Sequence, residues 1–143
     1  MEANKLIAEF MGGIVEMYTE WNSGETWEIC TLPKESNPLY MQNPNAYGIG
    51  VFKTEDFKRK NVNVHERCLQ YHQSWDWLMP VVEKIERTST DNTDNSDNFF
   101  NVMIEVFECN INGGDISICE CGNTKREATY NAVVEYIKWY NEK

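Results

Sequence analysis

The amino-acid sequence has no long run of apolar residues, and its mean hydropathy is -0.60. A membrane-spanning helix needs about 20 mostly apolar residues, so the sequence predicts a protein that does not enter a membrane. The first residues, MEANKLIAEFMGG, also lack the basic start and long apolar middle of a secretory signal. We therefore expect a cytoplasmic protein. The five cysteines are an odd number, which without a secretory signal argues against a disulfide scaffold.

The sequence also lacks the motifs of common enzymes. It has no glycine-rich phosphate-binding loop, no nucleophile-elbow pattern and only two histidines. Glu105 and Glu108 would lie on opposite faces of a strand, so they would not converge on one substrate. We therefore predict a protein without catalytic residues and without a cofactor.

Positive charge is scarce, because 13 basic residues face 23 acidic ones and the net charge is -10. Acidic residues dominate residues 1–35 and 76–120, whereas residues 53–67 form one basic island that includes Phe57. An acidic surface repels a phosphate backbone, so general nucleic-acid binding is not expected, although the island could touch phosphates. The charge suits a basic partner, including the basic groove of a nucleic-acid enzyme, or it serves only solubility.

Large aromatic residues are plentiful, with five Trp, seven Tyr and six Phe among 143 residues. This length suits a single domain, 1–143, and the rings provide much burial per residue. Hydrophobic periodicity and turn residues predict a helix at 4–11, a strand at 26–32, a possible strand at Tyr47–Lys53, a helix at 74–87, a flexible polar linker at 88–98, a β-prone run at 99–111, an NGG turn at 112–114, a strand at 115–122 and a helix at 125–141. This order predicts an α+β fold, with a small, mostly antiparallel sheet and about three helices packed on one face.

The helix at 74–87 has a clear buried stripe at helical spacing, formed by Leu78, Val81, Val82 and Ile85. If the helix begins near Trp77, Pro80 lies in the first turn, where its missing N–H costs nothing. If the helix begins at Trp75, Pro80 removes one backbone hydrogen bond. We favour the first alternative, because the residue before a proline avoids the α region.

The helix at 125–141 has a start signal and a broad apolar face. Thr124 and Glu127 have the spacing of a capping box, in which side chains bond the free amides of the first turn. The apolar face is formed by Val133, Val134, Ile137 and Tyr140, and is widened by Ala128, Ala132, Tyr136 and Trp139. A face this broad usually docks on a sheet.

Aromatic residues with adjacent charge are the candidates for contact with a partner. Trp77 would lie at the border of the buried stripe, and a half-exposed tryptophan is a good interface anchor. The predicted contact residues are Trp77, Trp75, Asp76, Phe57 and Tyr47. The alternative interpretation is that both tryptophans belong to the core, because large aromatics at helical spacing usually pack inward.

Histidines and cysteines provide a weaker metal hypothesis. His65, Cys68 and His72 would share one face of a helix, and Cys119 and Cys121 one face of a strand. These residue types are competent zinc ligands, but the sequence contains no CxxC or HExxH motif. Small, buried cysteines in strands are the more usual case. The DNTDNSDN run lacks the glycine and glutamate of a calcium loop, so we interpret it as a solvated loop.

Three stretches resemble short uncharacterised proteins encoded by phages and prophages of Bacteroidota: NKLIAEFMGG (4–13), SWDWLMPVVEKIE (74–86) and EATYNAVVEYIKWYNE (127–142). The resemblance covers the N-terminal helix and the two later helices. It implies an origin in a mobile element and provides no activity or catalytic residues. Small acidic phage proteins often bind and block a host defence machine, and Bacteroidota often carry type VI-B RNA-guided nucleases.

We therefore predict a non-enzymatic binding protein of phage or prophage origin. The leading hypothesis is an anti-defence inhibitor of the anti-CRISPR type. Its partner would be a host protein or ribonucleoprotein with a basic surface, such as a type VI-B RNA-guided nuclease. Two alternatives stay open: a zinc-stabilised module, and a phage housekeeping or structural accessory protein that could be a homodimer.

Overall fold

The computed structural model describes residues 2–19, 21–24, 26–33, 36, 69–90 and 98–143. Within these ranges the elements are α1 (Glu2–Phe10), β1 (Ile14–Thr19), β2 (Thr26–Thr31), α2 (Trp75–Glu86), β3 (Asn101–Ile104), β4 (Glu108–Gly113), β5 (Ile116–Cys121) and α3 (Lys125–Glu142). Every pairing between these strands is antiparallel. The predicted α+β fold class is therefore confirmed. The packing of all helices on one sheet face stays a prediction.

The chain divides into two compact units, Met1–Gln70 and Tyr71–Lys143. The first unit contains α1 and the two-stranded sheet β1–β2, and the second contains α2, α3 and the three-stranded sheet β3–β4–β5. The single domain over 1–143 stays a prediction. The strand predicted at Tyr47–Lys53 lies outside the described residues.

Helix α1 ends where the sequence changes to glycine, as predicted. Gly12 has a φ of 89°, and the amides of Gly12 and Gly13 donate to the carbonyls of Glu9 and Ala8 at 2.9 and 2.7 Å. This pair of hydrogen bonds satisfies carbonyls that the last turn leaves free. Gly12 occupies the left-handed region that favours glycine, so the double glycine sets the end of the helix.

Helix α1 packs its apolar side into the first unit, where Ile7, Ala8 and Leu32 are fully or almost fully buried. The buried Asn4 side chain donates through Nδ2 to the Leu69 carbonyl at 2.9 Å. A buried amide needs such a partner, because burying it without one costs free energy. This bond ties α1 to the last residues of the first unit.

The hairpin β1–β2 is only partly predictable from the sequence. Its register runs from Ile14↔Thr31 to Thr19↔Thr26, and residues Trp21–Gly24 lie in the connecting turn. The predicted strand at 26–32 is confirmed as β2, whereas β1 is absent from the prediction. The signal for β1 is its composition, IVEMYT, in which β-branched and aromatic residues predominate.

Helix α2 begins at Trp75, so the favoured start near Trp77 is wrong. Pro80 therefore lies inside the helix and has no N–H to donate to the carbonyl of Asp76, one turn earlier. Ser74 is the N-cap residue but makes no side-chain capping bond. The predicted stripe is confirmed, because the buried residues of α2 are Trp77, Leu78, Val81, Val82 and Ile85.

The run at 99–111, predicted as one β-prone segment, forms two strands separated by a turn. Strand β3 ends at Ile104 and β4 begins at Glu108, and the amide of Glu105 donates to the carbonyl of Glu108 at 2.8 Å. The three strands lie in the order β3-β4-β5. The interpretation of a single run is therefore wrong, and the sheet has one more strand than the sequence indicated there.

The hairpin predicted at NGG is confirmed between β4 and β5, but its turn consists of Gly114 and Asp115, so Asn112 and Gly113 belong to β4. Gly113 pairs with Ile116, and Gly114 adopts a φ of 56°. A Cβ atom on Gly113 would lie 2.6 Å from Phe100 Cδ1 and 2.8 Å from Thr90 Cγ2. Gly114 is thus required for the turn conformation, and Gly113 for close packing.

Helix α3 has the predicted start. Thr124 Oγ1 accepts from the amide of Glu127 at 3.1 Å, and Glu127 Oε2 accepts from the amide of Asn123 at 2.8 Å. The helix packs on β4 and β5. Its buried residues are Ala128, Thr129, Ala132, Val133, Val134, Tyr136 and Ile137. Tyr140, predicted on this face, is exposed.

The ends of the polar segment 88–98 are hydrogen-bonded to each other. Ser89 and Phe99 form an isolated antiparallel bridge. The Thr90 amide and Thr90 Oγ1 both donate to the Asn98 carbonyl, at 2.6 and 2.9 Å. The chain therefore leaves and returns at one point, and residues 91–97 of the predicted linker lie outside the described residues.

Candidate interaction surface

Two large apolar side chains are exposed at the turn between β3 and β4. Val106 is 62% exposed and Phe107 is 60% exposed. Isolated apolar residues on a protein surface are ordinary, whereas neighbouring ones form a patch that water solvates poorly. We call residues Glu105, Val106, Phe107 and Glu108 the apolar turn.

Backbone hydrogen bonds hold the apolar turn on both sides. The bond from the Glu105 amide to the Glu108 carbonyl closes it, and the Gly122 amide donates to the Phe107 carbonyl at 3.0 Å. Glu108 also pairs with Cys121 of the neighbouring strand. A turn fixed in this way loses little conformational entropy when a partner covers it.

Glu108, which follows the two apolar residues in the sequence, has a hydrogen-bonded carboxylate. Asn110 Nδ2 donates to Glu108 Oε1 at 2.9 Å. This bond, followed by a second one from the Cys119 thiol, lowers the pKa of Glu108 below its ordinary value. Glu105, on the other side of the turn, is exposed. The apolar turn therefore combines apolar area with carboxylates.

Alternation along the strands gives the sheet β3–β4–β5 two different faces. The inner face lies against α3 and includes the buried Cys109 and Ile111. The outer face carries Asn101, Met103, Glu108, Asn110, Asn112, Ser117, Cys119 and Cys121. Ser117 Oγ donates to Asn112 Oδ1 at 2.7 Å, so part of this polar surface is bonded within itself.

The pKa values of the thiols on the two faces are raised for different reasons. Burial raises the pKa of Cys109 to about 11. The pKa of Cys119 is also raised, chiefly because its thiol donates a hydrogen bond to the Glu108 carboxylate. A cysteine reacts as its thiolate, so both side chains are poor nucleophiles at neutral pH.

The predicted contact residues have different environments. Trp77 is only 3% exposed, and its ring meets Tyr71 edge to face at a centroid distance of 5.1 Å. The expectation of a half-exposed Trp77 is therefore wrong, since the ring lies in the core. Trp75 is half-buried and Asp76 is exposed. Phe57 and Tyr47 lie outside the described residues.

The predicted metal ligands are only partly within the described ranges. His72 is half-buried and meets Tyr130 at a ring centroid distance of 6.2 Å, and Cys119 and Cys121 are exposed on β5. His65 and Cys68 lie outside the described residues. Among the residues that are described, no group of three or more His, Cys, Asp or Glu side chains is arranged to hold a metal ion.

Sequence reasoning missed Val106 and Phe107 as surface residues. Both were included in a continuous β-prone run, which predicts alternate burial rather than exposure. The available signal is the tetrapeptide EVFE, in which glutamates enclose the apolar pair. Glutamate is depleted in strands, so this pattern favours a turn over a continuous strand.

No family model, curated protein or solved structure matches the chain. The resemblance to Bacteroidota phage proteins therefore stays an expectation from the sequence. In the described part of the chain, none of the helices has the length and apolar character needed to span a membrane.

Proposed function

We propose that this chain is a non-enzymatic binding protein that contacts a protein partner through the apolar turn. The exposure of Val106 and Phe107 on a hydrogen-bonded turn is the observation that supports this proposal. A small number of buried anchors supply most of the binding energy in a protein interface. Val106 and Phe107 can act as such anchors, because they are exposed and the hydrogen-bonded turn fixes their backbone before a partner binds.

The apolar area is sufficient for a useful contribution to affinity. Burying a valine or phenylalanine side chain stabilises by about 1.5–3 kcal/mol each, before the costs of association. Aromatic anchors are most effective in a pocket that excludes water. We therefore propose that Phe107 enters an apolar pocket of the partner and that Val106 covers its edge.

Charge defines the chemistry of that partner. The second unit, residues 71–143, contains thirteen acidic and six basic residues, and Glu105 and Glu108 flank the apolar pair. Complementary charge steers association and rejects wrong partners. The pocket should therefore have a basic rim, which agrees with a host protein or ribonucleoprotein that binds nucleic acid.

The finer proposal is an inhibitor of host defence. Its support is the resemblance to Bacteroidota phage proteins, together with the net charge of -10 and the missing enzyme motifs. A type VI-B RNA-guided nuclease, which must have a basic RNA-binding groove, is the proposed target. Blocking that groove or its access requires binding only and no chemistry.

The test compares the variant V106S/F107S with the wild type and with the control variant Y140S. Tyr140 is another exposed large side chain of the same unit, so its replacement controls for general loss of apolar surface. The measurements are binding to a purified type VI-B effector and protection of phage in hosts with and without that effector. We expect the double variant to lose about 30-fold or more in affinity, corresponding to about 2 kcal/mol, and to lose protection.

The outcomes separate the proposal from its alternatives. Unchanged binding by V106S/F107S would remove the apolar turn as the contact. If the wild-type protein binds no defence effector, the inhibitor hypothesis is wrong. If loss of the protein lowers phage fitness equally in hosts with and without the effector, a housekeeping role is favoured. Stoichiometric zinc in the purified protein, detected by elemental analysis, would favour the zinc-stabilised module.

A further inference from the structure

The tip of the β1–β2 hairpin presents a tryptophan to solvent. Trp21 is 95% exposed, more than any other large apolar side chain that the structure describes. It lies in the turn Trp21–Gly24, where Gly24 adopts a φ of 68°. Tryptophan normally buries a large area, so an almost fully exposed ring at a turn is an unusual use of this residue.

The sequence around this tip has charge of one sign only. Residues Ile14–Thr31, which include both strands and their turn, contain four glutamates and no lysine, arginine or histidine. A stretch of this composition favours cations over anions as partners. An exposed indole is suited to cations, because the face of the ring is itself electron-rich.

We propose that Trp21 is a second docking site, which binds a lysine or arginine side chain of a basic protein segment. The indole face would bind the cation, and the acidic composition of residues 14–31 would favour a basic partner. This site belongs to the first unit and goes beyond the proposed function, because it does not use the apolar turn. The two contacts can therefore fail separately.

Other occupants fit the charge less well. The acidic composition of residues 14–31 and the net charge of -10 disfavour a nucleic acid or an anionic membrane surface. A second copy of this chain carries the same net charge of -10, which opposes self-association through this tip. The hairpin charge therefore favours a basic segment of another protein.

The first test measures the local potential with ionic quenchers of tryptophan fluorescence. The contribution of Trp21 is the difference between the wild type and Trp21→Phe. After normalisation to N-acetyltryptophanamide, quenching by caesium should exceed quenching by iodide by about twofold or more at low ionic strength. Equal or reversed quenching would contradict a cation-attracting site.

The second test measures binding of an octa-arginine peptide to the full chain, with an octa-glutamate peptide as the negative control. We expect the indole N–H signal of Trp21 to shift in an NMR titration with octa-arginine only. Trp21→Leu keeps an apolar side chain without the ring, and should weaken binding by about two- to fivefold. Ile14→Ala, at another exposed position of the same hairpin, should not change the affinity.

The remaining outcomes also decide the proposal. Octa-arginine binding that is equal for the wild type and Trp21→Leu would overturn it. So would a Trp21-dependent change in sedimentation of the protein alone, or Trp21-dependent binding to vesicles of phosphatidylcholine. Thermal unfolding of each variant should match the wild type, because an almost fully exposed side chain contributes little to the core.

Discussion

The two faces of the sheet β3–β4–β5 are built from the same strands but have opposite roles. The inner face buries Cys109 and Ile111 beneath α3, while the outer face carries amides, a carboxylate and two thiols. Alternation with period two places successive residues in these two environments. The inner face therefore determines whether the unit folds, and the outer face determines what it presents to its surroundings.

The largest expected effect comes from the inner face. Ile111 is fully buried, so Ile111→Ala should destabilise the protein by about 2–4 kcal/mol through lost burial and a residual cavity. The control is Met103→Ala on the outer face, where the side chain is 45% exposed and the cost should stay below about 1 kcal/mol. Denaturant unfolding of both variants measures the difference, and equal losses would contradict the assignment of faces.

The second prediction uses the thiol of the inner face. Because burial raises the pKa of Cys109 to about 11, the unfolded chain releases this proton at lower pH than the folded protein does. The stability contributed by the neutral thiol is thus complete below about pH 8.5, the ordinary thiol pKa, and is lost as pH rises toward 11. Unfolding measured from pH 8 to 11 should show this decline in the wild type. The decline should be smaller in Cys109→Ala.

The third prediction uses a thiol of the outer face. Glu108 raises the pKa of Cys119 by accepting its hydrogen bond and through its negative charge, so Glu108→Gln, which removes the charge, should increase the thiolate fraction. A lower pKa increases the thiolate fraction at pH 8, so alkylation of Cys119 by iodoacetamide should accelerate. Peptide mass spectrometry gives the rate at each cysteine. Cys109 provides the slow internal control, and an unchanged rate at Cys119 would reject the role of Glu108.

The smallest expected effect is the loss of a hydrogen bond on the outer face. Asn112→Ala removes the acceptor of the Ser117 hydroxyl, which is exposed and can bond to water instead. The expected change in unfolding free energy is therefore below about 1 kcal/mol. A larger loss, seen in the same denaturant measurement, would mean that the outer face supports the fold.

The sequence predicted those features that depend on local chemistry. The Thr124–Glu127 cap, the hairpin between β4 and β5 and the buried stripe of α2 each follow from neighbouring residues, and all three are confirmed. The break at Glu105 was missed because its turn contains no glycine, proline or asparagine. Hydrogen bonds from the amides of Glu105 and Gly122 hold this turn. Gly122 follows β5 and is distant from the turn in the sequence, so the local pattern does not indicate its bond.

The start of α2 shows how tertiary packing outweighs a local preference. A proline inside a helix costs about 3 kcal/mol, which favoured the later start. In the helix that begins at Trp75, Trp77 lies in the core, and burial of a tryptophan contributes about 4–6 kcal/mol from its area. The same burial removed Trp77 from the candidate contacts. Val106 and Phe107 could be identified as contact residues only once the turn between β3 and β4 was known.

The closed base of the segment after α2 provides an attachment point for experimental tools. The chain leaves at Thr90 and returns at Asn98, whose carbonyl accepts two bonds from Thr90. Doubling the length of a closed loop costs only about 0.6 kcal/mol, so an epitope or a fluorescent peptide inserted between residues 93 and 94 should be tolerated. Such an internal tag would leave Trp21, the apolar turn and both termini unmodified. Binding of a partner at either site could then be measured without a terminal tag.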